Sequence, residues 1–493
     1  MDRFKTTVNC GAIVKMMGVL LTVIGLCMTL PVVTALIYKE YFEAKCFLEV
    51  AVPSIVGGLL LLRFFNPSNL KTKERDGYII VSLCWIVASL IGMIPMIITG
   101  AIPNPADAFF ELCSGFSTTG ATIVTNVEAL PNSVLMWRSF THWIGGMGII
   151  VFAAALIPSI GIGGQIVASA ETPGPVMTKV SPRFSDTAKR LYTIYIIFTV
   201  AEIILLLLGG MNLFDSLIHS FGTAGTGGFS NHSDSIGYYN SPYIQWVIIV
   251  FMLLCGINFN LYFFILKGNP KEFFKDEELR LYLGTVGLFV AMMTVDLLVQ
   301  GDYTSISKGI RDAAFQAASI VTTTGYATAD YDVWPSFCKM LLVLLMFTGA
   351  CSSSTGGGIK FIRVLVSRKF IQRGLFNKLH PNRVGDITVN GRGVSQSVIT
   401  NIINFVFFYM ALLLFGTVIV SFNGYDIVTN FSSVLTCLSN VGPGLNLVGP
   451  TMNFALFNNF TKVFLAFTMI AGRLELFTFF MLFSPHYWNA NRV

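Results

Sequence analysis

Long apolar stretches recur from one end of the chain to the other, and short polar segments separate them. Many of these stretches reach about 20 residues, the length that an α-helix needs to cross the hydrocarbon core of a bilayer. The pattern predicts ten membrane-spanning helices, with approximate bounds 13–38, 47–62, 77–100, 134–157, 192–208, 243–266, 281–299, 337–371, 398–420 and 457–483. The eighth stretch is longer than a bilayer requires, and its middle is rich in serine and glycine.

Composition supports a membrane environment. Charged residues make up 12% of the 493 residues, whereas hydrophobic residues make up 54%. A soluble chain of this length would need more charge to cover its surface. The first apolar stretch lacks a clear small-residue cleavage site and is too long for the core of a signal peptide, so we expect it to be an anchor.

Lysine and arginine residues concentrate on one side of the predicted spans. An even number of spans places both termini on the same side, and that side holds most of the basic residues, which predicts that it is cytoplasmic. These basic residues include Lys71, Lys73, Arg75, Lys267, Lys271, Lys275 and those of the run 360–392. The net charge of +6 mostly reflects this bias. We therefore predict a multi-pass plasma-membrane protein with cytoplasmic termini and no nucleic-acid partner.

Four short segments between the spans are too polar for lipid and too apolar for ordinary loops. They read FFELCSGFSTTGAT (109–122), LIHSFGTAGTGGFS (217–230), FQAASIVTTTGYAT (315–328) and SSVLTCLSNVGPG (432–444). Their central glycines, Gly120, Gly228, Gly325 and Gly442, are separated by 108, 97 and 117 residues. Each segment follows one span, precedes another and lies on the extracellular side, which indicates an internal repeat.

A second register mark supports this alignment. Asp107, Asp215 and Asp312 each precede the central glycine of their segment by 13 residues, and Thr429 has that place in the fourth segment. These residue types are good helix N-caps, and a carboxylate also suits the N-terminal end of the helix dipole. We therefore expect each segment to begin as a short helix at this position. Four extracellular connecting helices with flexible tips are the alternative interpretation.

A re-entrant pore loop explains the pattern physically. Non-helical backbone lies at membrane depth only where it lines a watery cavity, and a helix entering from outside points its negative end toward the membrane centre. Glycine then lets consecutive carbonyls face an ion whose water they replace. The expected ion-binding residues are Thr118, Thr119, Gly120, Thr226, Gly227, Gly228, Thr323, Thr324, Gly325, Asn440, Val441 and Gly442. Since they include no carboxylate, the predicted ion is potassium rather than a divalent cation.

Several motifs are similar to those of one transporter superfamily. They are FSTTGAT (116–122), TGGFS (226–230), TTTGYAT (322–328), FTGACSSSTGGGIK (347–360) and AGRLE (471–475). Together they resemble the Trk/Ktr/HKT superfamily of potassium transporters from about Gly77 to the C-terminus. The two additional N-terminal spans and the overall length resemble its bacterial TrkH branch.

The resemblance implies an all-α polytopic membrane protein. Four span–pore loop–span units would surround one central pore, after two extra N-terminal transmembrane helices. The expected divisions are 1–70 for the N-terminal pair, then 71–158, 188–268, 277–373 and 394–488 for the four pore units. The resemblance also implies that the four glycines and the residues before them bind potassium, that the protein is a homodimer in the bacterial inner membrane, and that a cytosolic nucleotide-binding ring of the TrkA type controls it.

Two features are expected below the filter. Residues 350–358 would make a poor helix, so we predict two half-helices joined by an irregular loop that faces a cavity or other protein. The resemblance implies that the loop is a gate rather than a passive kink, with Ser354, Thr355, Gly356, Gly357 and Gly358 as its residues. Arg473 is placed near the middle of the last predicted span. A mid-membrane arginine needs polar partners, and the loop carbonyls are the predicted ones.

The basic segment 360–392 directly continues the half-helix that leaves the predicted gate. We expect the cytosolic ring to dock here, at Arg368, Lys369 and Arg373, although contact with anionic membrane lipid is the alternative. The longest cytoplasmic segments, 158–189 and 360–392, are too short to form a nucleotide-binding domain. Nucleotide control would therefore come from another chain.

Other functional classes find less support. Sequence motifs of zinc proteases and serine hydrolases are absent, so an enzyme is not predicted. The scattered histidines and cysteines predict no structural metal, no disulfide framework and no covalent cofactor. A secondary symporter that couples potassium to sodium or protons remains the alternative to a gated channel. Titratable residues within spans, such as Glu202 and Asp296, are few and far from the filter in sequence, which favours the channel.

Overall fold

The computed structural model describes residues 9–64, 74–148, 184–380 and 386–483. Lys71, Lys73 and most of the predicted cytoplasmic segment 158–189 lie outside these ranges, as do residues 149–157 of the predicted span 134–157. Within them the regular secondary structure is almost entirely helical. The predicted all-α membrane architecture is therefore confirmed.

The N-terminal pair forms a tight helical hairpin. Its helices are α1 (Cys10–Cys27), α2 (Thr29–Ile37) and α3 (Tyr41–Phe64). A Cβ atom added to Gly58 would lie 2.6 Å from the carbonyl oxygen of Gly18, and one added to Gly25 would lie 2.8 Å from that of Ala51. Small residues let the two backbones approach closely, which is how helices commonly pack in a membrane.

Four units follow, each with a first helix, a short helix and a second helix. The first contains α4 (Glu74–Ile98), α5 (Pro105–Phe116) and α6 (Asn132–Gly146). The second contains α7 (Phe184–Leu208), α8 (Leu213–Gly225) and α9 (Pro242–Cys255), and the short α10 (Tyr262–Leu266) and α11 (Pro270–Lys275) follow it. The third contains α12 (Glu277–Val299), α13 (Ile306–Val321) and α14 (Ser336–Thr348), and α15 (Phe361–Leu379) follows. The fourth contains α16 (Gln396–Val420), α17 (Ile427–Ser439) and α18 (Asn459–Arg473), before α19 (Phe477–Phe480).

Short 3-10 helices and one hairpin complete the described elements. The 3-10 helices are Ser235–Tyr238, Phe259–Leu261, Tyr331–Val333, Ser421–Asn423, Asn446–Val448, Phe454–Leu456 and Met481–Phe483. The hairpin pairs β1 (Thr388–Val389) with β2 (Arg392–Gly393) in antiparallel register. Its Val389 packs with Ile362 and Val366 of α15 in a small apolar cluster. A much larger cluster joins the N-terminal hairpin to all four units.

Among the described residues, six helical spans are long and apolar enough to cross a membrane. Two further helix pairs pass the same test together but are bent, by 88° between Cys255 and Phe259 and by 116° between Arg473 and Phe477. The expectation of continuous helices through 243–266 and 457–483 is therefore wrong. The predicted span 134–157 is also interrupted, because α6 ends at Gly146.

Two of these interruptions lie at close backbone contacts with the end of a short helix. A Cβ atom on Gly145 would lie 1.8 Å from the carbonyl oxygen of Phe116, and one on Gly472 would lie 2.1 Å from that of Leu438. The backbones touch at these two glycines, and α6 and α18 each end one residue later.

The predicted N-caps of the short helices are also corrected. Asn104 and Asn212 cap α5 and α8, and Asp426 caps α17 through a 3.0 Å bond from the Thr429 N–H. Asp107 and Asp215 lie in the first turn, whereas Asp312 lies inside α13. An asparagine for α5 and α8, and an aspartate for α17, stands just before the helix and caps it, because its side chain reaches the free N–H groups directly.

Candidate functional site

The four short helices end in segments with the same backbone conformation. A left-handed residue stands two positions before each central glycine, a conformation that few residues other than glycine adopt. These residues are Thr118 (φ 55°), Thr226 (φ 54°), Thr323 (φ 58°) and Asn440 (φ 55°). The glycines are left-handed too: Gly120 (φ 79°), Gly228 (φ 80°), Gly325 (φ 83°) and Gly442 (φ 102°).

One hydrogen bond recurs at the same place in all four segments. The N–H of the residue before each glycine donates to the carbonyl of the residue five positions earlier. The bonds are Thr119 to Ser114 (2.9 Å), Gly227 to Gly222 (2.8 Å), Thr324 to Ser319 (2.8 Å) and Val441 to Thr436 (2.9 Å). The fourth segment, which departs most in sequence, therefore has the same backbone as the others.

The four segments close into one ring. A Cβ atom added to each central glycine would strike the carbonyl oxygen of the residue before the next glycine in the ring. The distances would be 2.0 Å from Gly120 to Gly227, 2.0 Å from Gly228 to Thr324, 2.3 Å from Gly325 to Val441 and 2.7 Å from Gly442 to Thr119. We call these twelve residues, three from each segment, the carbonyl ring. Their order around it follows their order along the chain.

The electrostatics of the carbonyl ring come from the backbone. Its residues include no charged side chain, and the C-terminal ends of α5, α8, α13 and α17, which carry partial negative charge, stop beside it. On the other face of the four glycines is a cavity of about 120 Å³. Asn440 joins two quarters, since its Nδ2 donates to the Thr119 hydroxyl at 3.0 Å. The arrangement suits a cation held by oxygen dipoles.

An irregular loop, residues 349–360, separates α14 from α15 and touches the carbonyl ring. The Gly357 N–H donates to the Thr323 hydroxyl at 2.7 Å. A Cβ atom on Gly357 would lie 2.2 Å from the carbonyl oxygen of Ser439, and one on Gly356 would lie 2.9 Å from that of Thr322. Two of the predicted gate residues, Gly356 and Gly357, therefore lie against two quarters of the carbonyl ring, with no room for a side chain at either glycine.

Arg473 links this loop to the first unit. Its guanidinium donates to the carbonyl of Thr355 at 2.6 Å and to those of Gly145 and Gly146 at 2.8 and 2.6 Å. The side chain is buried, at the point where α18 ends. The sequence indicated the loop carbonyl as a partner, but not the two carbonyls at the end of α6.

Lys360 is a member of the site that sequence reasoning missed. We expected it among the cytoplasmic basic residues, but it is buried, with 1% of its surface exposed. Its ammonium group donates to the Gly356 carbonyl, and lies 3.5 Å from the Ser354 hydroxyl. Its place two residues after the glycine run was the available signal. Two cationic groups, Lys360 and Arg473, therefore bind the loop.

Glu278 at the start of α12 also holds the loop and was missed. Its carboxylate accepts the N–H of Ser352 at 2.6 Å, the hydroxyl of Ser352 at 2.6 Å and the N–H of Ile362 at 3.0 Å. It thus ties the beginning of the loop to the first turn of α15. Its neighbour Glu277 accepts the N–H of Asn390 in the hairpin at 2.9 Å.

The three predicted docking residues on α15 are not equivalent. Arg368 is exposed and Arg373 is partly exposed. Lys369 instead pairs with Glu277 and donates to the Thr388 carbonyl at 2.6 Å. Arg363 is buried and paired with Glu475. The structure therefore separates two accessible cations from two that hold the fold together.

Comparisons with known proteins were made over the whole chain. Residues 43–490 match the TrkH family, described as cation transport protein. The chain is 37% identical to the Trk system potassium uptake protein TrkH of Escherichia coli, covering 97% of this chain and 99% of that protein. It is 34% identical to the Trk system potassium uptake protein TrkG of Escherichia coli, covering 98% and 100%. The crystal structure of the potassium transporter TrkH from Vibrio parahaemolyticus is similar, with a TM-score of 0.87, 35% identity and coverage of 97% and 99%.

Proposed function

Because the chain belongs to the TrkH family of cation transport proteins, we propose that it takes up potassium across the plasma membrane through a pore formed by one chain. The carbonyl ring is the selectivity filter of this pore. The relatives that the chain matches over nearly its full length are potassium uptake proteins by name, which supports potassium as the transported ion.

The observation that carries this proposal is the closure of the carbonyl ring. Four glycines from separate units each abut a carbonyl of the neighbouring unit. Such a ring replaces the water of a cation by oxygen dipoles, and four helix ends reinforce their negative potential. The absence of carboxylates from the ring favours a monovalent ion with a weakly held water shell.

The loop 349–360 is proposed as the gate. It lies against the carbonyl ring, and Arg473 and Lys360 bind its carbonyl oxygens. Positive charge close to the ion path also repels a cation. Both effects oppose conduction, so the described conformation would conduct poorly until the loop moves. A passive kink would leave the flux unchanged when these contacts are removed.

We propose that a cytosolic nucleotide-binding ring docks on α15 and controls the pore. The protein itself is proposed to be a homodimer in the bacterial inner membrane, with both termini in the cytoplasm. Support comes from the connection between α15 and the loop. The first turn of α15 is bonded to Glu278, which also holds Ser352 of the loop. Because a helix transmits displacement along its axis, a pull on α15 would reach the loop.

Purified protein in liposomes, with potassium inside and sodium outside, tests the proposal. A selective pore gives a current that reverses near the potassium equilibrium potential and is unmoved by changes in sodium or pH. A coupled symporter, the alternative, shifts its reversal potential with the coupling ion. Flux that does not distinguish potassium from sodium would refute the selective filter.

A further inference from the structure

Beyond each central glycine, the chain continues without regular structure, and we call this irregular segment the outer strand of its unit. In each unit a buried side chain ties the outer strand to the short helix. In three units the tying residue stands nine positions before the central glycine, and in the fourth it stands ten positions before. These residues are Glu111, His219, Gln316 and Ser432. At most 1% of the surface of any of them is exposed.

The ties differ in chemistry, and each reaches a residue two to four positions beyond the central glycine of its unit. Glu111 accepts the N–H of Ile123 at 3.0 Å, and Ser432 accepts the N–H of Leu445 at 3.1 Å. In the second unit the bond joins Nε2 of His219 to the Ser230 hydroxyl at 3.1 Å, and in the third it joins Nε2 of Gln316 to the Ala329 carbonyl at 3.2 Å. Different side chains at nearly the same place in all four units indicate that each one positions its outer strand.

The tie of the first unit is an ion pair. Arg138 of α6 lies with Nε 2.9 Å and Nη2 2.7 Å from Oε1 of Glu111. Its Nη2 also donates to the Thr122 hydroxyl at 3.1 Å, and that hydroxyl donates to Glu111 at 2.9 Å. Three parts of the first unit, namely the short helix, the outer strand and the second helix, are therefore fixed at one point.

Arg138 reaches the second unit as well. The centre of its guanidinium lies 4.3 Å from the ring centroid of Phe229, which directly follows the filter glycine Gly228. This distance is within the range of a cation–π contact. The ion pair of Arg138 and Glu111 is buried, with 2% of the Arg138 side chain and 0% of the Glu111 side chain exposed. A buried ion pair is weak evidence for stability, since apolar residues of similar volume often stabilise as well or better.

On the basis of the proposed function, we propose that Glu111 and Arg138 are positioning residues for ion selection. The pair fixes the outer strand that continues from Gly120 and, through Phe229, the one that continues from Gly228. Discrimination between two monovalent ions depends on the placement of the carbonyl dipoles. The pair therefore holds two quarters of the carbonyl ring at the spacing that selects potassium.

The test is the double variant Glu111→Gln/Arg138→Gln, which removes both charges and leaves neither one unpaired in the interior. The readout is the potassium-to-sodium permeability ratio of the variant in liposomes. We expect this ratio to fall about tenfold, corresponding to about 1.4 kcal/mol in the relative free energies of the two ions. Thermal unfolding of the purified protein provides the check on folding.

Glu40→Gln is the matched control. Glu40 also accepts backbone N–H groups of α6, those of Asn132 and Ser133, at 2.7 and 3.0 Å, but its hydrogen bonds within the described ranges reach no outer strand. We expect its permeability ratio to stay within about twofold of the wild type. If Glu40→Gln lowers the permeability ratio as much as the double variant does, selectivity depends on the general position of α6 and the proposal fails.

The remaining outcomes also decide the matter. A folded double variant with the wild-type ratio overturns the positioning role and leaves the proposed function intact. A wild-type protein that does not distinguish the two ions overturns both. If the double variant does not fold, Arg138→Lys takes its place, because lysine keeps the charge but loses the planar fork that serves Glu111 and Thr122 together. An unchanged ratio in that variant overturns the proposal equally.

Discussion

The guanidinium of Arg473 donates a 2.6 Å hydrogen bond to the backbone carbonyl of Thr355, across 118 residues of sequence. The same side chain bonds two carbonyls at the end of α6. One buried arginine therefore joins the first, third and fourth units below the carbonyl ring.

Removal of this link is expected to raise potassium flux in the absence of any activator. We predict that Arg473→Ala and deletion of residues 354–358 each increase basal flux about tenfold, a lowering of the barrier by about 1.4 kcal/mol. The combined variant should be little faster than either single one, because both changes remove the same contact. Flux into liposomes measures this, and additive effects would mean that the two features act separately.

Gly120→Ser is expected to weaken selection of potassium over sodium. Its Cβ atom would lie 2.0 Å from the Gly227 carbonyl oxygen, so the carbonyl ring must shift. The permeability ratio should fall about tenfold. Gly100→Ser is the control: that glycine has a similar φ of 74° but open space around it, so its ratio should match the wild type. Equal ratios in both variants would contradict a place for Gly120 in the filter.

Neutralisation of Arg368, Lys369 and Arg373 together is expected to abolish activation by the cytosolic ring and leave selectivity intact. Since Lys369 is bonded to Glu277, the variant Arg368→Gln/Arg373→Gln isolates the accessible charges and should have the same effect. Lys267→Gln/Lys271→Gln removes two exposed charges elsewhere and serves as the control. If the variant is still activated and the ring still co-purifies with it, the docking site is refuted and contact with anionic lipid explains these charges instead.

Glu278→Ala is expected to uncouple α15 from the loop. The variant lacks the carboxylate that accepts the N–H groups of Ser352 and Ile362 and the hydroxyl of Ser352, so all three bonds are lost. Basal flux should rise severalfold while the further stimulation by the cytosolic ring shrinks. Glu272→Ala, at an exposed residue paired with Lys275, should change neither quantity. A full response to the ring in Glu278→Ala would show that coupling takes another route.

Glu128 gives a prediction for pH. Burial acts to raise the pKa of this loop carboxyl, but hydrogen bonds from the hydroxyl and N–H of Ser233 outweigh it and lower the pKa from its usual 4.5. A lowered pKa stabilises the fold above pH 4.5, and this contribution is lost as the pH falls through the lowered value. Wild type should therefore melt above Glu128→Gln at pH 7, and the gap should close in acid. A gap that is constant with pH would contradict this.

Hydropathy and repeated motifs predicted the helical spans, the four short segments and the residues of the carbonyl ring, because these features are periodic or local. They did not predict the bends after Cys255 and Arg473, since apolar residues stand on both sides of each bend and hydropathy carries no direction. The roles of Lys360 and Glu278 depend on where the chain folds back. Glu278 bonds Ser352 from 74 residues away, which no local pattern records.

The four quarters of the carbonyl ring are encoded separately, in one chain. In a pore built from four copies of a subunit, a single codon change strikes every quarter at once. Here a single codon change alters only one quarter, so the effect of a mutation on the carbonyl ring is smaller. The fourth quarter has already used this freedom: Asn440 and Val441 stand where other quarters have threonine or glycine, yet its backbone is unchanged. Such a pore can drift one quarter at a time, and its selectivity can be adjusted in small steps during evolution.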